Sequence, residues 1–574
     1  MYKTSGNKLM DKKQILPKIK NKLEIIYPYN NTGQIFLELN NIINKYYNKP
    51  IIKSKRKKYG NKLFLSEKDS ILVTYGDSIK VNKEKPLKTL HRFLKKYVKN
   101  TITGVHVLPF FPSSDDAFSI VDYKNVSPEL GNWRDIQKIA KDYHLMSDLV
   151  LNHVSKESKW FKGFLKWDKK YMNYFITFDK RVDTSSVFRP RTNPLLTGFK
   201  TKEGLKYVWT TFSDNQVDLN FKNPDVLLEI IDILLFYLSN GIEIIRLDAI
   251  GFLWKELGTS CFNLKNSHEI VKFLRLILSY VAPYSILITE TNAPHKDNIS
   301  YFGRGDETHM VYQVNLPLLV LDAFIREDTS HLQEFYKKIE PLKAGNLFFN
   351  FLASHDGINM IGARGLLTKT QFNNLLNKVK KHNGLISYRS MPDGTKAPYE
   401  LNINYFDAIN NPNKKTLIAK EVKRFISSQS IIIASRGVPG VYIHSLIGSR
   451  NYLEGVKKTG IKRIINREKI NFTRLEKQLR DKKSIRYNVL KNYLKLLDIR
   501  TKIPELNQLY KQKIIYSDKR LFIISRLRKN RKIVVIINVS NDIVSLSKYK
   551  SKIDLLSKRR FNGKVQPNRV YFLK

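Results

Sequence analysis

The fold predicted from this 574-residue sequence is of the α/β class. It is a closed (β/α)8, or TIM, barrel with a subdomain inserted after the third strand and an antiparallel β domain at the C-terminus. Three observations predict it. Short apolar runs recur along the chain, helix-like segments separate most of them, and after about residue 500 the helical segments give way to β-rich alternation. Strand runs alternating with helices make parallel βα units, and eight such units close a barrel.

Residues 1–68 read as a basic helical N-terminal extension, because Ile35-Phe36-Leu37-Glu38-Leu39 and Ile42-Ile43 place apolar residues at mixed helical spacing. Within it, the run from Lys53 to Lys58 reads as a charged, solvated linker. The barrel is expected over 69–153 and 224–495. Its strand runs begin at Ile71, Gly104, Ser147, Ile242, Ile286, Met310 and Leu347, and the run Ile431-Ile-Ile-Ala434 supplies the eighth. Helical segments beginning at Trp133, Pro224 and Ser267 lie between them. About 70 residues rich in aromatics, Pro and Gly separate the third run from Pro224, too many for a plain βα loop, so 154–223 should form an inserted subdomain over the site. Residues 496–574 hold short runs near Lys513, Leu521, Lys532 and Arg569 and should form the antiparallel β domain.

Bulk properties narrow the functional class. Hydrophobic residues make up 42% of the chain, enough for a packed enzyme core, and no stretch approaches the roughly 20 apolar residues of a membrane span. The N-terminus alternates lysines with single apolar residues instead of a continuous apolar core, so no secretory signal is read there. One cysteine, Cys261, allows no internal disulfide, and a cytoplasmic protein is expected. The formal net charge is +50, but Lys and Arg are spread from Lys3 to Lys574, so a solvated basic surface is expected instead of a nucleic-acid partner.

Chemistry-bearing residues gather where the runs end. The third closes on Asp148-Leu-Val-Leu-Asn152-His153, the fourth on Arg246-Leu-Asp248 and the fifth on Glu290, and a later one is followed by His355-Asp356. In a barrel these ends share one rim, where catalytic residues belong. One such motif is a weak signal; four in order are a strong one.

In that order the motifs resemble glycoside hydrolase family 13, the α-amylase clan. Gly104-Val-His-Val-Leu-Pro109, Gln216-Val-Asp-Leu-Asn220 and Gly437-Val-Pro-Gly-Val-Tyr442 add to the resemblance. It implies a retaining mechanism, which needs two carboxyl groups about 5–5.5 Å apart, one to attack the anomeric carbon and one to protonate the leaving oxygen. Asp248 then matches the nucleophile, Glu290 the acid/base and Asp356 the third carboxylate. Arg246 would keep Asp248 ionised, and His153 and His355 match sugar-hydroxyl contacts. Asp148 is expected to order the rim through hydrogen bonds.

Several segments resemble the sucrose phosphorylase branch of that family. Phe110-Phe111-Pro112-Ser-Ser-Asp115-Asp116-Ala-Phe118 resembles the loop whose aspartate closes the glucose subsite; Asp115 is the preferred match, with Asp116 the alternative. Gly258-Thr-Ser-Cys-Phe262 and Phe188-Arg189-Pro190-Arg191 also fit, and Arg191 with Tyr399 is expected to receive phosphate. Arg463 matches an arginine that reaches the glucose subsite. The acceptor loop departs from sucrose-specific members: Ala397 stands two residues before Tyr399, where they have Asp, and Glu400 follows it, where they have Gln. Together with His444 to Asn451, whose Arg450 could pair with an acceptor carboxylate or phosphate, this favours glucosylglycerate over sucrose.

The resemblance thus implies a retaining α-glucoside phosphorylase acting on a small α-glucoside and inorganic phosphate, with an α-amylase-type hydrolase or transglucosidase as the alternative. No cofactor, metal, nucleic acid or membrane partner is implied, and no oligomeric state is read from the sequence.

Overall fold

A computed structural model describes residues 12–60, 64–339, 342, 345–361, 365–391 and 393–574. Eight parallel strands close a barrel: β1 (Ile71–Thr74), β2 (Gly104–Val107), β3 (His144–Val150), β4 (Ile244–Asp248), β5 (Ile286–Thr289), β6 (Met310–Tyr312), β7 (Leu347–Asn350) and β8 (Val438–Tyr442). Each pairs with its sequence neighbour, and β1 pairs with β8 to complete the ring. The strands are almost wholly buried on both faces, as a barrel ringed by helices requires.

Local signals start the ring helices where they begin. Helix Pro224–Ser239 opens on Asn223, whose side chain accepts from the Asp225 amide, with Pro at the first turn. Helix Trp133–Asp142 opens on a capping box between Asn132 and Asp135.

One sequence expectation is corrected in the ring. Ile431–Ala434 is the last turn of helix Ile418–Ala434, and the eighth strand is the next segment, Val438–Tyr442. Its Gly440 is required by packing, since an added Cβ would sit 2.4 Å from the Phe349 ring of β7.

Chain excursions at the top of the barrel build the cleft. After β3, strand His153–Ser155 pairs antiparallel with Gln216–Asp218 as a stalk, beyond which Thr177–Phe178, Gly204–Trp209 and Leu196–Thr201 form a small sheet. A second excursion, not anticipated from the sequence, follows β7. There Ile358–Asn359, Lys396–Asn402 and Leu385–Ser390 form a three-stranded antiparallel sheet beside helix Lys369–Lys381.

The N-terminal segment is not a loose prelude. Helices α1 (Lys12–Ile26), α2 (Thr32–Tyr47) and α3 (Pro50–Tyr59) pack on the ring helices Lys265–Val281 and Pro224–Ser239. Ile15, Ile19, Leu39 and Ile43 join the main core. The Lys53 to Lys58 run is helical rather than a solvated linker, and two of its charges, Lys55 and Arg56, have partners on the barrel while Lys53, Lys57 and Lys58 are exposed. Lys55 lies 2.7 Å from the buried Glu243, and Arg56 donates to the Val281 carbonyl at 2.9 Å while stacking on Tyr47.

At the other end, Lys511–Ile515, Leu521–Arg528, Arg531–Asn538 and Val570–Leu573 make most of a six-stranded antiparallel sheet. Buried Arg526 ties it to the barrel by donating to the Ala434 carbonyl at 3.1 Å. Among the described residues no helix is long and apolar enough to cross a membrane.

Candidate active site

Strand register brings the acids together. In β4, Arg246 lies opposite Asp148 of β3 and Ile288 of β5, and Leu247 lies opposite Thr289. Asp248 and Glu290 are therefore the next residues out on adjacent strands, and the Glu290 amide donates to the Leu247 carbonyl at 3.2 Å. Arg246 and Asp248, two residues apart on one strand, project to the same side. The buried Arg246 guanidinium donates to Asp148 and, at 2.6 Å, to Asp248, while its other terminal nitrogen stands 3.7 Å from Glu290. One cation thus holds both carboxyl groups at one rim.

The protons of this pair follow from burial and charge. Burial raises the pKa of both Asp248 and Glu290; Arg246 opposes the rise, and neighbouring carboxylates add to it. The two acids therefore titrate as a coupled pair above the ordinary carboxylate range. A 2.6 Å charge-assisted bond to Asp248, against 3.7 Å to Glu290, favours the carboxylate on Asp248 and the proton on Glu290. Asn292 donates to Glu290 at 2.7 Å. Ala249, directly after Asp248, takes a left-handed φ of +50° that brings its amide to Glu290.

Asp148 does not reach the cleft. It is fully buried between Arg246 and His106, whose Nε2 is 2.8 Å away; burial opposes its ionisation, but these two neighbours hold it at about 2. It orders the rim, as expected.

The cleft has a volume of about 590 Å³ and is lined by Asp248, Glu290, Asp356, His153 and His355. Burial lowers His153 to about 4 and His355 to about 3, so both rings are neutral near pH 7. Among the described residues Nε2 of His153 and Nδ1 of His355 are buried without a protein partner. Phe118 stacks on His355 with ring centroids 5.0 Å apart. Burial also opposes Asp356, but Arg463 and Arg467 keep it ionised, well below the ordinary carboxylate range.

Two arginines close this end of the cleft. Arg463 places Nη1 2.7 Å from Asp356 and grips both oxygens of the buried Glu400, one of them at 3.1 Å from Nε. Arg467, which the sequence reading did not single out, stands 3.6 Å from both Asp356 and Asp116 and donates to the His355 carbonyl at 2.7 Å. Its signal was present in the spacing: a short 3-10 helix, Lys462–Asn466, carries Arg463 and leads directly into Arg467.

Both neighbouring aspartates, Asp115 and Asp116, line the cleft, and they differ in their partners. Asp116 faces Arg467, and the charges of Arg467 and Arg463, with the Phe118 amide, hold it below its usual pKa against the cost of desolvation. Asp115 is exposed and accepts from the Asn215 side chain.

Toward the mouth, Arg191 from the insertion lies over the rings of Phe212 and Tyr399, 5.8 and 5.5 Å from their centroids. Among the described residues its nearest carboxylate, Glu400, is 4.0 Å away, outside hydrogen-bond distance. Arg191, Tyr399, Glu400 and Arg463 all line the cleft.

Arg450 does not join them. It is committed to a structural pair, donating to Asp407 at 2.8 Å and to Glu421 at 2.6 Å, because both of those carboxylates are buried and need a cation. A second buried cation was also missed. Lys255 lies 2.6 Å from Asp218 and donates to Asn152 at 2.5 Å, joining the segment after β4 to the stalk of the insertion. Among the described residues no group of three or more His, Cys, Asp or Glu side chains is arranged to hold a metal ion.

Comparison with known proteins agrees with this geometry. Residues 94–380 match the model of the alpha-amylase catalytic domain. The chain is 47% identical to a glucosylglycerate phosphorylase of Spirochaeta thermophila, over 84% of this chain and 82% of that protein. It is 45% identical to one of Allomeiothermus silvanus, over 88% and 90%. The crystal structure of sucrose 6F-phosphate phosphorylase from Thermoanaerobacter thermosaccharolyticum superposes with a TM-score of 0.74 at 26% identity, covering 88% of this chain and 99% of that one. The chain belongs to the alpha-amylase family, glycoside hydrolase family 13, and within it to the α-glucoside phosphorylases.

Proposed function

We propose that the protein converts 2-O-α-glucosylglycerate and inorganic phosphate to α-D-glucose 1-phosphate and glycerate, through a β-glucosyl ester of Asp248. In the first step the Asp248 carboxylate attacks the anomeric carbon while Glu290 gives its proton to the departing glycerate oxygen. In the second, a phosphate oxygen attacks the same carbon from the face that glycerate left, its proton passes to Glu290, and Asp248 is released. Two inversions return the α configuration.

Asp356, His355 and His153 are suited to hold the sugar hydroxyls around the flattened ring of the transition state. Arg246 stabilises the carboxylate that Asp248 regains as the leaving group of the second step.

Arg191 is the observation that carries phosphorolysis. A guanidinium at the mouth, over two aromatic rings and, among the described residues, with no carboxylate within hydrogen-bond distance, offers a fork of donors to an incoming anion and lets phosphate outcompete water. Glycerate is itself an anion, so the same cation can serve the leaving acid in one half-reaction and phosphate in the other. The absence of an acidic side chain at Ala397 removes a source of repulsion for such an acceptor. The names of the relatives at 43–47% identity support the glycerate reading.

The test is a product assay with glucosylglycerate, sucrose and sucrose 6-phosphate, each with and without phosphate. Glucose 1-phosphate should form fastest from glucosylglycerate, and Arg191→Ala should raise KM for phosphate at least tenfold. Equal release of free glucose with and without phosphate would overturn phosphorolysis. Faster turnover of either sucrose substrate would overturn the acceptor.

A further inference from the structure

A second cavity of about 610 Å³ shares no lining residue with the catalytic cleft. Its walls are helix Ile418–Ala434, helix Ile485–Thr501 and two segments of the C-terminal domain around Leu556 and Val570. Its size falls in the range of small-molecule sites, and a junction between domains is a preferred place for one.

The lining has two characters. Val422, Ile426, Leu496 and Val570 form a buried apolar floor. The lip continues it outward, with Ile418 37% exposed and Leu417 beside it 70% exposed. Around the floor stand Lys423, Lys483, Lys495 and Arg569, all exposed. Among the described residues none of the four has a carboxylate within 4.0 Å.

Asp554, the acid in the lining, does not offset them. It is buried, and its oxygens accept from the backbone amides of Leu556, Ser557 and Phe572. A neighbouring cavity of about 440 Å³ shares Lys495 and Leu556 and adds Lys558 and Lys574, while its Lys502 is paired with Asp498 at 2.6 Å.

We propose that this junction is a binding site for an amphipathic anion, a molecule with an apolar body for the floor and one sulfonate, phosphate or carboxylate group for the lysine and arginine rim. An apolar floor alone would accept neutral hydrophobes, and a cationic rim alone would accept inorganic phosphate. The combination selects for both features in one ligand. Asn568 in the wall accepts from Arg424, whose guanidinium also donates to the Ile409 and Phe324 carbonyls, so a bound molecule would brace the C-terminal sheet against the barrel.

The experiment uses the full chain and two probes, 8-anilinonaphthalene-1-sulfonate followed by fluorescence and octyl phosphate followed by calorimetry. One saturable site is expected for each, with mutual competition, weakening at high salt, and no displacement by glucosylglycerate. Inorganic phosphate should fail to displace the fluorophore. The double variant Lys495→Glu/Arg569→Glu should weaken both probes at least tenfold, and Ile426→Trp, which fills the floor, should do the same without changing the surface charge. Turnover of glucosylglycerate should be unchanged in the double variant, which shows that it has folded. Binding unaffected by both variants, or displaced by glucosylglycerate or by inorganic phosphate alone, would overturn the proposal.

Discussion

Arg463 and Glu400 are locked side by side at the wall of the cleft, Nε of the arginine 3.1 Å from one carboxylate oxygen and Nη2 on the other. That grip leaves Nη1 of Arg463 to meet Asp356 at 2.7 Å, so a residue of the excursion after β7 sets the position of a cation on the third acid. Glu400, which the acceptor loop carries into the cleft, thereby orients Arg463.

Glu400→Gln should therefore lower kcat while leaving the glucoside KM nearly unchanged. Loss of one anionic partner lets Arg463 drift from Asp356, and a displacement of about 1 Å near reacting groups can cost about a hundredfold. KM for phosphate should fall, because the negative charge 4.0 Å from Arg191 is gone. Steady-state kinetics with each substrate varied separately give both parameters, and an unchanged kcat would return Glu400 to a passive role.

The shared proton of Asp248 and Glu290 predicts the pH profile. Both groups are raised by burial and by neighbouring carboxylates, so the working state, Asp248 ionised and Glu290 protonated, spans a window above the ordinary carboxylate range. As pH falls below the window Asp248 takes a proton and the nucleophile is lost; as pH rises above it Glu290 loses its proton and the acid is lost. The profile of kcat/KM for the glucoside, which reports the first step before phosphate enters, should be bell-shaped. In Glu290→Gln, assayed with α-glucosyl fluoride, whose leaving group needs no acid, the alkaline limb should vanish. A surviving alkaline limb would assign it to another group.

The two aspartates after β2 separate cleanly. Asp116 shares Arg467 with Asp356, whereas Asp115 turns to Asn215 outside that cluster. Asp116→Asn should reduce kcat/KM for the glucoside by about 10- to 100-fold, the loss of one hydrogen bond to a charged group of about 1.5–3 kcal/mol. Asp115→Asn should change it less than about threefold on the same scale. Reversed effects in one assay would restore the first choice.

The catalytic rim was legible because its residues sit at strand ends, where sequence order is also spatial order around a barrel. Asp148, Arg246, Asp248 and Glu290 needed no long-range information beyond that topology. The eighth strand was not legible. Ile431–Ala434 has the β-branched composition of a strand but ends a helix, and the Ile433 carbonyl is met by the buried Arg500 from a distant segment. The true strand, Val438–Tyr442, holds Pro439 and Gly440, which local propensity reads as a turn. Gly440 is there because Phe349 of the neighbouring strand fills the space of a side chain. The same limit hid the role of Arg450, whose partners lie 43 and 29 residues away in sequence.

Arg450 yields the remaining prediction, one that separates stability from binding. Its guanidinium is part exposed, but it neutralises Asp407 and Glu421, both buried. Burial already raises the pKa of each carboxylate against the pull of the arginine, so removing the arginine leaves two anions with little solvent and no cation. Breaking a buried pair in this way costs about 3–5 kcal/mol, and the exposed side of the guanidinium brings the expectation for Arg450→Ala to about 2–3 kcal/mol. Urea unfolding should show that loss at pH 7. It should shrink toward pH 4, where protonation of the two carboxylates relieves the wild type and the variant unequally, the variant more. KM for glycerate in the synthetic direction should stay within about twofold, because the side chain is engaged elsewhere. A tenfold rise in that KM with unchanged stability would place Arg450 back among the acceptor contacts.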